Sequence, residues 1–302
     1  MINVRAAPTS ANLGPGFDCL AVTLDLGNVV METSFEEGGS GINVIPEGWG
    51  RETLPQDSSN LVARAFSHFA RQKGLQLPDG LVIHSHNGIP IGSGLGSSAA
   101  AIVSGLLAAR EYYNESVSME EIANMALALE GHADNTTAVL VGGLVVLTVQ
   151  DEKVVYRSYP AARLPVVVVR PEFTLSTRAA RKALPKQVPF KNAVSSVGNT
   201  ALLVDALQTG DMDLLRKVYR DSLHQPYRLP LIPGAAQAAQ AGLDAGAVAV
   251  VLSGAGPSLT CFTIRNQEEA AGAMQEGFAK AGLKSQAYFG FTANKPALVM
   301  AA

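Results

Sequence analysis

The chain has 302 residues, 47% of them hydrophobic and 16% charged, with a formal net charge of −3. That is enough chain for two domains and a sizeable core, and the balance excludes disordered and fibrous classes. Neither end carries a basic run, which argues against nucleic acid or a membrane surface as partner and points to a small molecule.

Taken in chain order, apolar alternation predicts strands over 2–7 and 21–33, a helix over 60–73, a strand over 80–85 and helices over 97–113 and 118–129. Strands at 143–149 and 154–158 are joined by the Asp-Glu-Lys turn at 151–153, and the proline-flanked segment 160–165 is the expected boundary between domains 1–160 and 161–302. The second half reads as a strand over 166–170, helices over 176–184, 190–209, 211–219 and 235–245, strands over 247–252 and 259–264, a helix over 267–281 and a strand over 284–291. An α+β first half and a small helix-covered antiparallel sheet follow from that order. Cys19 and Cys261 stand far apart at no metal-ligand spacing, which suits free buried thiols in a reducing, cytoplasmic compartment. The N-terminus lacks the apolar core of a signal peptide. The uncharged stretches 81–109 and 245–264 are broken by Gly, Ser and Pro, and the first carries His84 and His86, so neither reads as a membrane span.

Residues 90–101, PIGSGLGSSAAA, form a glycine- and serine-rich loop running into an alanine-rich helix. Gly92, Gly94 and Gly96 allow backbone amides to turn inward, and the helix N-terminus adds a positive dipole, so phosphate is the natural guest. Neither GxxxxGK[ST] nor GxGxxG fits. Asn12 and Asp18, six residues apart in a tight loop over 9–18, offer an amide and a carboxylate to a polar substrate; an ordinary turn is the plain alternative. Glu130-Gly131-His132-Ala133-Asp134-Asn135 lies at an expected helix end. It has no second His or Cys at zinc-ligand spacing, whereas magnesium needs only one or two protein oxygens, and Ser98 and Glu130 would supply them. The glycine loop at 253–258 would let backbone approach a ligand held by the first loop. Residues 161–200 carry seven basic side chains against Glu172 alone. Lys182, Lys186 and Lys191 read as a solvated face, but Arg181, four residues after Thr177 on one helix face, and Arg228 suit a carboxylate. A serine hydrolase using Ser98, His132 and Asp134 is disfavoured because GxSxG is absent.

These loops, in this order, resemble the GHMP small-molecule kinase superfamily, and SANLGPGFD at 10–18, EGHADN at 130–135, LSTRAARKALP at 175–185 and HQPYRLPLIP at 224–233 are similar to the homoserine kinases within it. The resemblance implies a two-domain α+β GHMP kinase fold, with an N-terminal S5-domain-2-like α/β domain and a C-terminal ferredoxin-like helix-covered antiparallel sheet. It implies transfer of the ATP γ-phosphate to the side-chain hydroxyl of L-homoserine in threonine biosynthesis. The alternatives are a related kinase of the mevalonate or shikimate type, or a catalytically silent ATP-binding sensor. By the same resemblance Pro90, Ile91, Gly92, Ser93, Gly94, Leu95, Gly96, Ser97, Ser98, Ala99 and Ala100 wrap the ATP phosphates, Asn60 lies near the adenine, and Ser98 and Glu130 hold Mg2+. Asn12, Asp18, His132, Asn135, Thr177, Arg181 and Arg228 bind the substrate, with Asn135 beside the reacting hydroxyl. Asn135 stands where some superfamily members, mevalonate kinase among them, carry an aspartate base. Ala133, Ala21 and Thr136-Thr137 depart from the family pattern beside the proposed contacts. Family habit leaves room for a homodimer.

Overall fold

The computed structural model describes residues 1–301. Its first half runs through β1 (Ile2–Ala6), β2 (Thr9–Ala11), β3 (Leu20–Asp25), β4 (Met31–Glu37), β5 (Gly41–Gly48), α1 (Leu61–Gln72) and β6 (Gly80–Asn87). It continues through α2 (Ser97–Tyr112), α3 (Met119–Glu130), α4 (Asp134–Val141), β7 (Leu144–Gln150) and β8 (Lys153–Tyr159). The second half holds β9 (Pro165–Pro171), α5 (Thr177–Lys182), α6 (Phe190–Thr209), α7 (Met212–Val218) and α8 (Gln225–Arg228), which passes into a 3-10 turn at Leu229–Leu231. The remaining elements are α9 (Ala235–Asp244), β10 (Ala249–Leu252), β11 (Leu259–Phe262), α10 (Gln267–Ala279), β12 (Ser285–Ala293) and β13 (Leu298–Ala301).

Helix α2 is the pillar under the site. Every residue from Ala99 to Ala109 is buried, as expected of a helix that is apolar or small on all faces. Gly105 lets α1 pack unusually close, because a Cβ there would stand 2.3 Å from the Val62 carbonyl oxygen. Helix α1 answers with buried Val62, Phe66 and Phe69, and Phe66 stacks on Phe35 of β4 at 6.0 Å. Both helices lie against a five-stranded sheet ordered β13-β1-β4-β6-β5, in which only β5 and β6 run parallel.

The second sheet is ordered β10-β11-β9-β12-β3-β7-β8, with β2 paired to β3, and is antiparallel throughout. Counted within their own half, its first four strands stand in the order 2-3-1-4, the split βαβ pattern of a ferredoxin-like unit covered by α9 and α10. This unit does not end at an edge. Strand β12 pairs with β3 through Thr292 and Leu24, so the sheet continues into the first half, and β13 returns to β1.

The strand expected over 21–33 is two strands. Leu26, Val29 and Val30 prolong the apolar run, but Gly27, at φ +68°, turns the chain between β3 and β4. Residues 134–141 were expected to lead from a helix end to a strand and instead form α4. Their β-branched Thr136, Thr137 and Val139 have low helix propensity, yet all are buried, and packing overrides propensity. The short strand β2 lies inside the expected loop 9–18, and β5, α8 and β13 carry no strong periodic signal. Among the described residues no helix is long and apolar enough to cross a membrane.

Candidate active site

Three loops far apart in sequence dock on one another where the sheets meet. The amide of Asn12 donates to the Gly254 carbonyl at 2.8 Å, and the Gly254 N–H donates to the Ala11 carbonyl at 3.1 Å. The Ser253 hydroxyl donates to the Gly94 carbonyl at 2.8 Å, and Ser258 N–H to the Ser93 carbonyl at 3.2 Å. Thr9 N–H closes the ring by donating to the Leu95 carbonyl at 3.1 Å. Gly94 can be nothing larger here: its φ is +82°, and a Cβ would lie 2.2 Å from the Ser253 carbonyl oxygen.

The loops enclose a cleft of about 430 Å³. Of the residues singled out by sequence, Asn12, Asp18, Asn60, Ile91, Gly92, Ser93, Gly94, Gly96, Ser97, Ser98, Glu130, His132, Asn135, Thr177, Arg181 and Arg228 all line it. Pro90, Leu95, Ala99 and Ala100 do not; they are buried beneath the loop and support it. Asn60 caps α1, accepting from Val62 N–H at 3.0 Å and donating to the Pro55 carbonyl at 2.7 Å. Met31, Leu54, Leu61 and Val62 make that end of the cleft apolar.

At the start of α2 the Ser98 hydroxyl donates to Glu130 Oε1 at 2.5 Å. Its partner is a carboxylate rather than His132, which removes the hydrolase geometry. Two hard oxygen donors side by side, next to a phosphate-type loop, match what magnesium requires. Among the described residues no three His, Cys, Asp or Glu side chains converge as a complete cage, so a cation here would take its other ligands from phosphate and water.

The EGHADN segment is ordered by a charge relay of short contacts. His132 Nδ1 lies 2.9 Å from Asp134 Oδ1, and Asp134 Oδ1 also accepts the Asn135 backbone N–H at 2.8 Å. Burial alone would lower the His132 pKa, but the hydrogen bond and charge of Asp134, with the charge of Glu130, outweigh it and raise it. Burial would raise Asp134, and the same partnership with His132 holds it below the usual carboxylate range instead. Asn135 Oδ1 accepts the Thr9 hydroxyl at 2.7 Å, so this amide is oriented by a strand 126 residues away in sequence.

At the opposite wall Arg181 makes a bidentate ion pair with Asp18, at 2.7 and 2.8 Å, both side chains about one-third exposed. Arg228 is only 2% exposed. It donates to the carbonyls of Ala180 and Gly254, both at 3.3 Å, and lies over the Phe17 ring at 4.9 Å. Among the described residues it has no carboxylate partner, and burial, with the charge of Arg181 adding, depresses its pKa. Phe17 is covered on another side by His224, whose ring stacks on it at 5.2 Å and whose Nε2–H donates to the Gly14 carbonyl at 2.8 Å. Asp221 accepts the backbone N–H groups of Leu223, His224 and Gln225 and so fixes that histidine.

Sequence reasoning missed Thr9, His224 and Asn87. The Asn87 amide donates to Ser97 Oγ and to the Trp49 carbonyl, both at 3.2 Å, and the Trp49 ring in turn lies under the Arg170 guanidinium at 4.7 Å. Burial pushes the Cys19 thiol up to about 11 and the Cys261 thiol to about 12, so neither is a nucleophile.

The GHMP kinases N terminal domain family matches residues 60–143, and the GHMP kinases C terminal family matches residues 203–282. The chain is 41% identical over 283 residues to the homoserine kinase of Moorella thermoacetica, covering 93% of this chain and 94% of that one. It is also 41% identical over 269 residues to the homoserine kinase of Caldicellulosiruptor bescii, with coverage of 89% and 86%. The crystal structure of homoserine kinase from Cytophaga hutchinsonii matches with a TM-score of 0.88 at 29% identity, over 99% of this chain and 97% of that one. The L. major mevalonate kinase in complex with R-mevalonate, at 18% identity and a TM-score of 0.67 over 94% of each chain, shares the fold. Matched in both halves and along nearly its whole length, the chain belongs to the homoserine kinase family of GHMP kinases and is a small-molecule kinase.

Proposed function

We propose that this chain transfers the γ-phosphoryl group of ATP to the side-chain hydroxyl of L-homoserine, giving O-phospho-L-homoserine for threonine biosynthesis in the cytoplasm. The observation that carries the substrate assignment is Arg228. A guanidinium 2% exposed, facing the cleft without a carboxylate of its own, is costly unless an anion arrives, and an amino acid carboxylate fits between it and Arg181.

Binding then exchanges partners. The substrate carboxylate takes the Arg181 fork from Asp18, and the freed Asp18 carboxylate takes the ammonium or hydroxyl end. Asn12 supports this through its Oδ1, which accepts the Asp18 N–H at 2.9 Å. Thr177 and His132 close the substrate end, and Asn135, aimed by Thr9, stands beside the reacting hydroxyl. Residues 90–100 and the α2 N-terminus hold the phosphates, and the apolar end near Asn60 takes the adenine. Ser98 and Glu130 would hold Mg2+, which supplies charge neutralisation on the phosphates.

An amide cannot take the hydroxyl proton as a carboxylate would, so no residue of this chain is assigned as base. Phosphoryl transfer passes through a loose transition state that demands positioning and charge neutralisation more than deprotonation, and the γ-phosphate oxygen accepts the proton. Residues 1–160 thus carry the phosphate and metal groups together with Asn12 and Asp18, while 161–302 carry the carboxylate-binding arginines.

A coupled ADP-release assay with ATP and magnesium against L-homoserine, L-threonine, mevalonate and shikimate tests this. Strong preference for homoserine is expected. Preference for another alcohol would keep the phosphate loop and overturn the acceptor pocket; ATP binding without turnover on any of the four would make the chain a nucleotide sensor.

A further inference from the structure

Two buried neighbours decide which end of the Asn135 amide is free to meet a ligand. Thr9 is 0% and Asn135 8% exposed, and the Thr9 hydroxyl donates to Asn135 Oδ1 at 2.7 Å. Thr9 Oγ1 makes no other hydrogen bond among the described residues, and Gly96 leaves it room, since a Cβ there would stand 2.2 Å from that oxygen. A hydroxyl accepts as readily as it donates, so this contact alone does not tell the amide oxygen from its nitrogen.

Asp134 supplies the second constraint. Its Oδ1 accepts the Asn135 backbone N–H at 2.8 Å and lies 3.4 Å from Asn135 Nδ2. Turning the amide over would set Oδ1 against that carboxylate oxygen, acceptor against acceptor, at a side chain only 3% exposed where water does little screening. Oδ1 is therefore kept by Thr9, and Nδ2 stays on the side of Asp134. The amide group left without a partner in the cleft wall is the second hydrogen of Nδ2, a donor.

We propose, on the reading that the acceptor hydroxyl lies beside Asn135, that Thr9 and Asp134 are positioning residues that hold this amide with its N–H toward that hydroxyl. The hydroxyl oxygen then accepts from Asn135 through one lone pair. Its second lone pair is left for phosphorus, and its hydrogen turns away from Asn135 toward the γ-phosphate oxygens. The new O–P bond forms as the bond from the γ-phosphorus to the β,γ-bridging oxygen breaks; that electron pair leaves on ADP, and the hydroxyl proton passes to the transferred phosphoryl group. A carboxylate at 135 would meet Asp134 at the same short range, like charge against like, so the position suits an amide and not a base.

Steady-state kinetics on the full chain with ATP and homoserine tests the two positioning contacts. Thr9→Val keeps the shape and removes the hydroxyl; kcat should fall about tenfold to a hundredfold with both KM values within about threefold of wild type, and Thr9→Ser should recover most of the loss. In an Asn135→Ala background Thr9→Val should cost less than about twofold further, because a positioning residue has nothing left to aim. Thr9→Ala takes the place of Thr9→Val in both measurements if circular dichroism shows Thr9→Val unfolded. Asn135→Asp should lower kcat rather than raise it. An undiminished kcat in Thr9→Val, a loss that adds in full on Asn135→Ala, or a gain in Asn135→Asp overturns the proposal. If the wild type prefers another alcohol, the homoserine assignment falls while the same ratios, measured on that alcohol, still decide for Thr9; silence of the wild type on every alcohol overturns both.

Discussion

Arg181 and Arg228 differ in what their loss removes. Arg181 is partly exposed and holds Asp18 through a planar two-bond fork, so Arg181→Ala should raise the KM for homoserine by about tenfold to a hundredfold while leaving the KM for ATP in place. Arg181→Lys should not rescue it, because a single ammonium cannot reproduce the fork. Steady-state kinetics on both substrates checks this, and a shift confined to ATP would remove the carboxylate clamp. His224 acts at one remove, through Gly14 and Phe17, on the loop that carries Asp18. Burial, with the charge of Arg228 adding, lowers its pKa below the ordinary 6.5 against the opposing pull of Asp221, the Gly14 carbonyl and Asp18. The unfolded chain therefore takes up this proton at a higher pH than the folded one, so stability falls as pH drops through about 6.5 and the loss ends only below the folded value. His224→Gln keeps an amide donor toward Gly14 and cannot titrate. Its urea midpoint should fall less than the wild type's between about pH 8 and about pH 5.5; equal slopes would remove His224 from the acid limb. The paired arginines were legible because Thr177 and Arg181 share a helix face. Thr9 and His224 were not, since their partners Asn135 and Gly14 stand 126 and 210 residues away.

Among elements, the loop between β10 and β11 is the one that turns three separate motifs into a single wall. Its contact with Gly94 can be isolated by comparison. Gly74 also has positive φ, +68°, but a Cβ there meets nothing, so Gly74→Ala reports the conformational cost alone, about 1 kcal/mol. Gly94→Ala adds a clash with a backbone carbonyl that cannot swing away, and should lose about 2 kcal/mol more in urea denaturation together with nucleotide affinity. Equal losses at the two positions would mean that the loops do not brace each other. The glycine loop and α2 were readable because local composition dictates both. Helix α4 was not: Thr136, Thr137 and Val139 favour extended backbone locally, and only the surrounding core makes the helix. The break between β3 and β4 was hidden for the opposite reason, since Leu26 and Val29 in the connection are themselves buried and so read as strand.

For the whole molecule, β12 and β13 bind the two halves into one object. A fragment of residues 1–160 would expose the hydrogen-bonding edge of β3 that β12 occupies and the edge of β1 that β13 occupies. It should aggregate or melt without a cooperative transition by circular dichroism, whereas a fragment with a sharp melt would show that the first half folds unaided. That dependence was invisible in the sequence, where the proline-flanked segment after β8 marks a boundary in composition but not in the sheet. One side chain spans the same division from outside. Trp49, beside Asn87 of the cleft wall, meets Arg170 of β9 across the halves, and it is the only tryptophan in the chain. Indole emission responds to the charge and water around the ring, so any closure of the halves over bound nucleotide alters the light from a single residue. The contact between Trp49 and Arg170 is thus a built-in optical reporter on the seam between the halves, with no dye to attach.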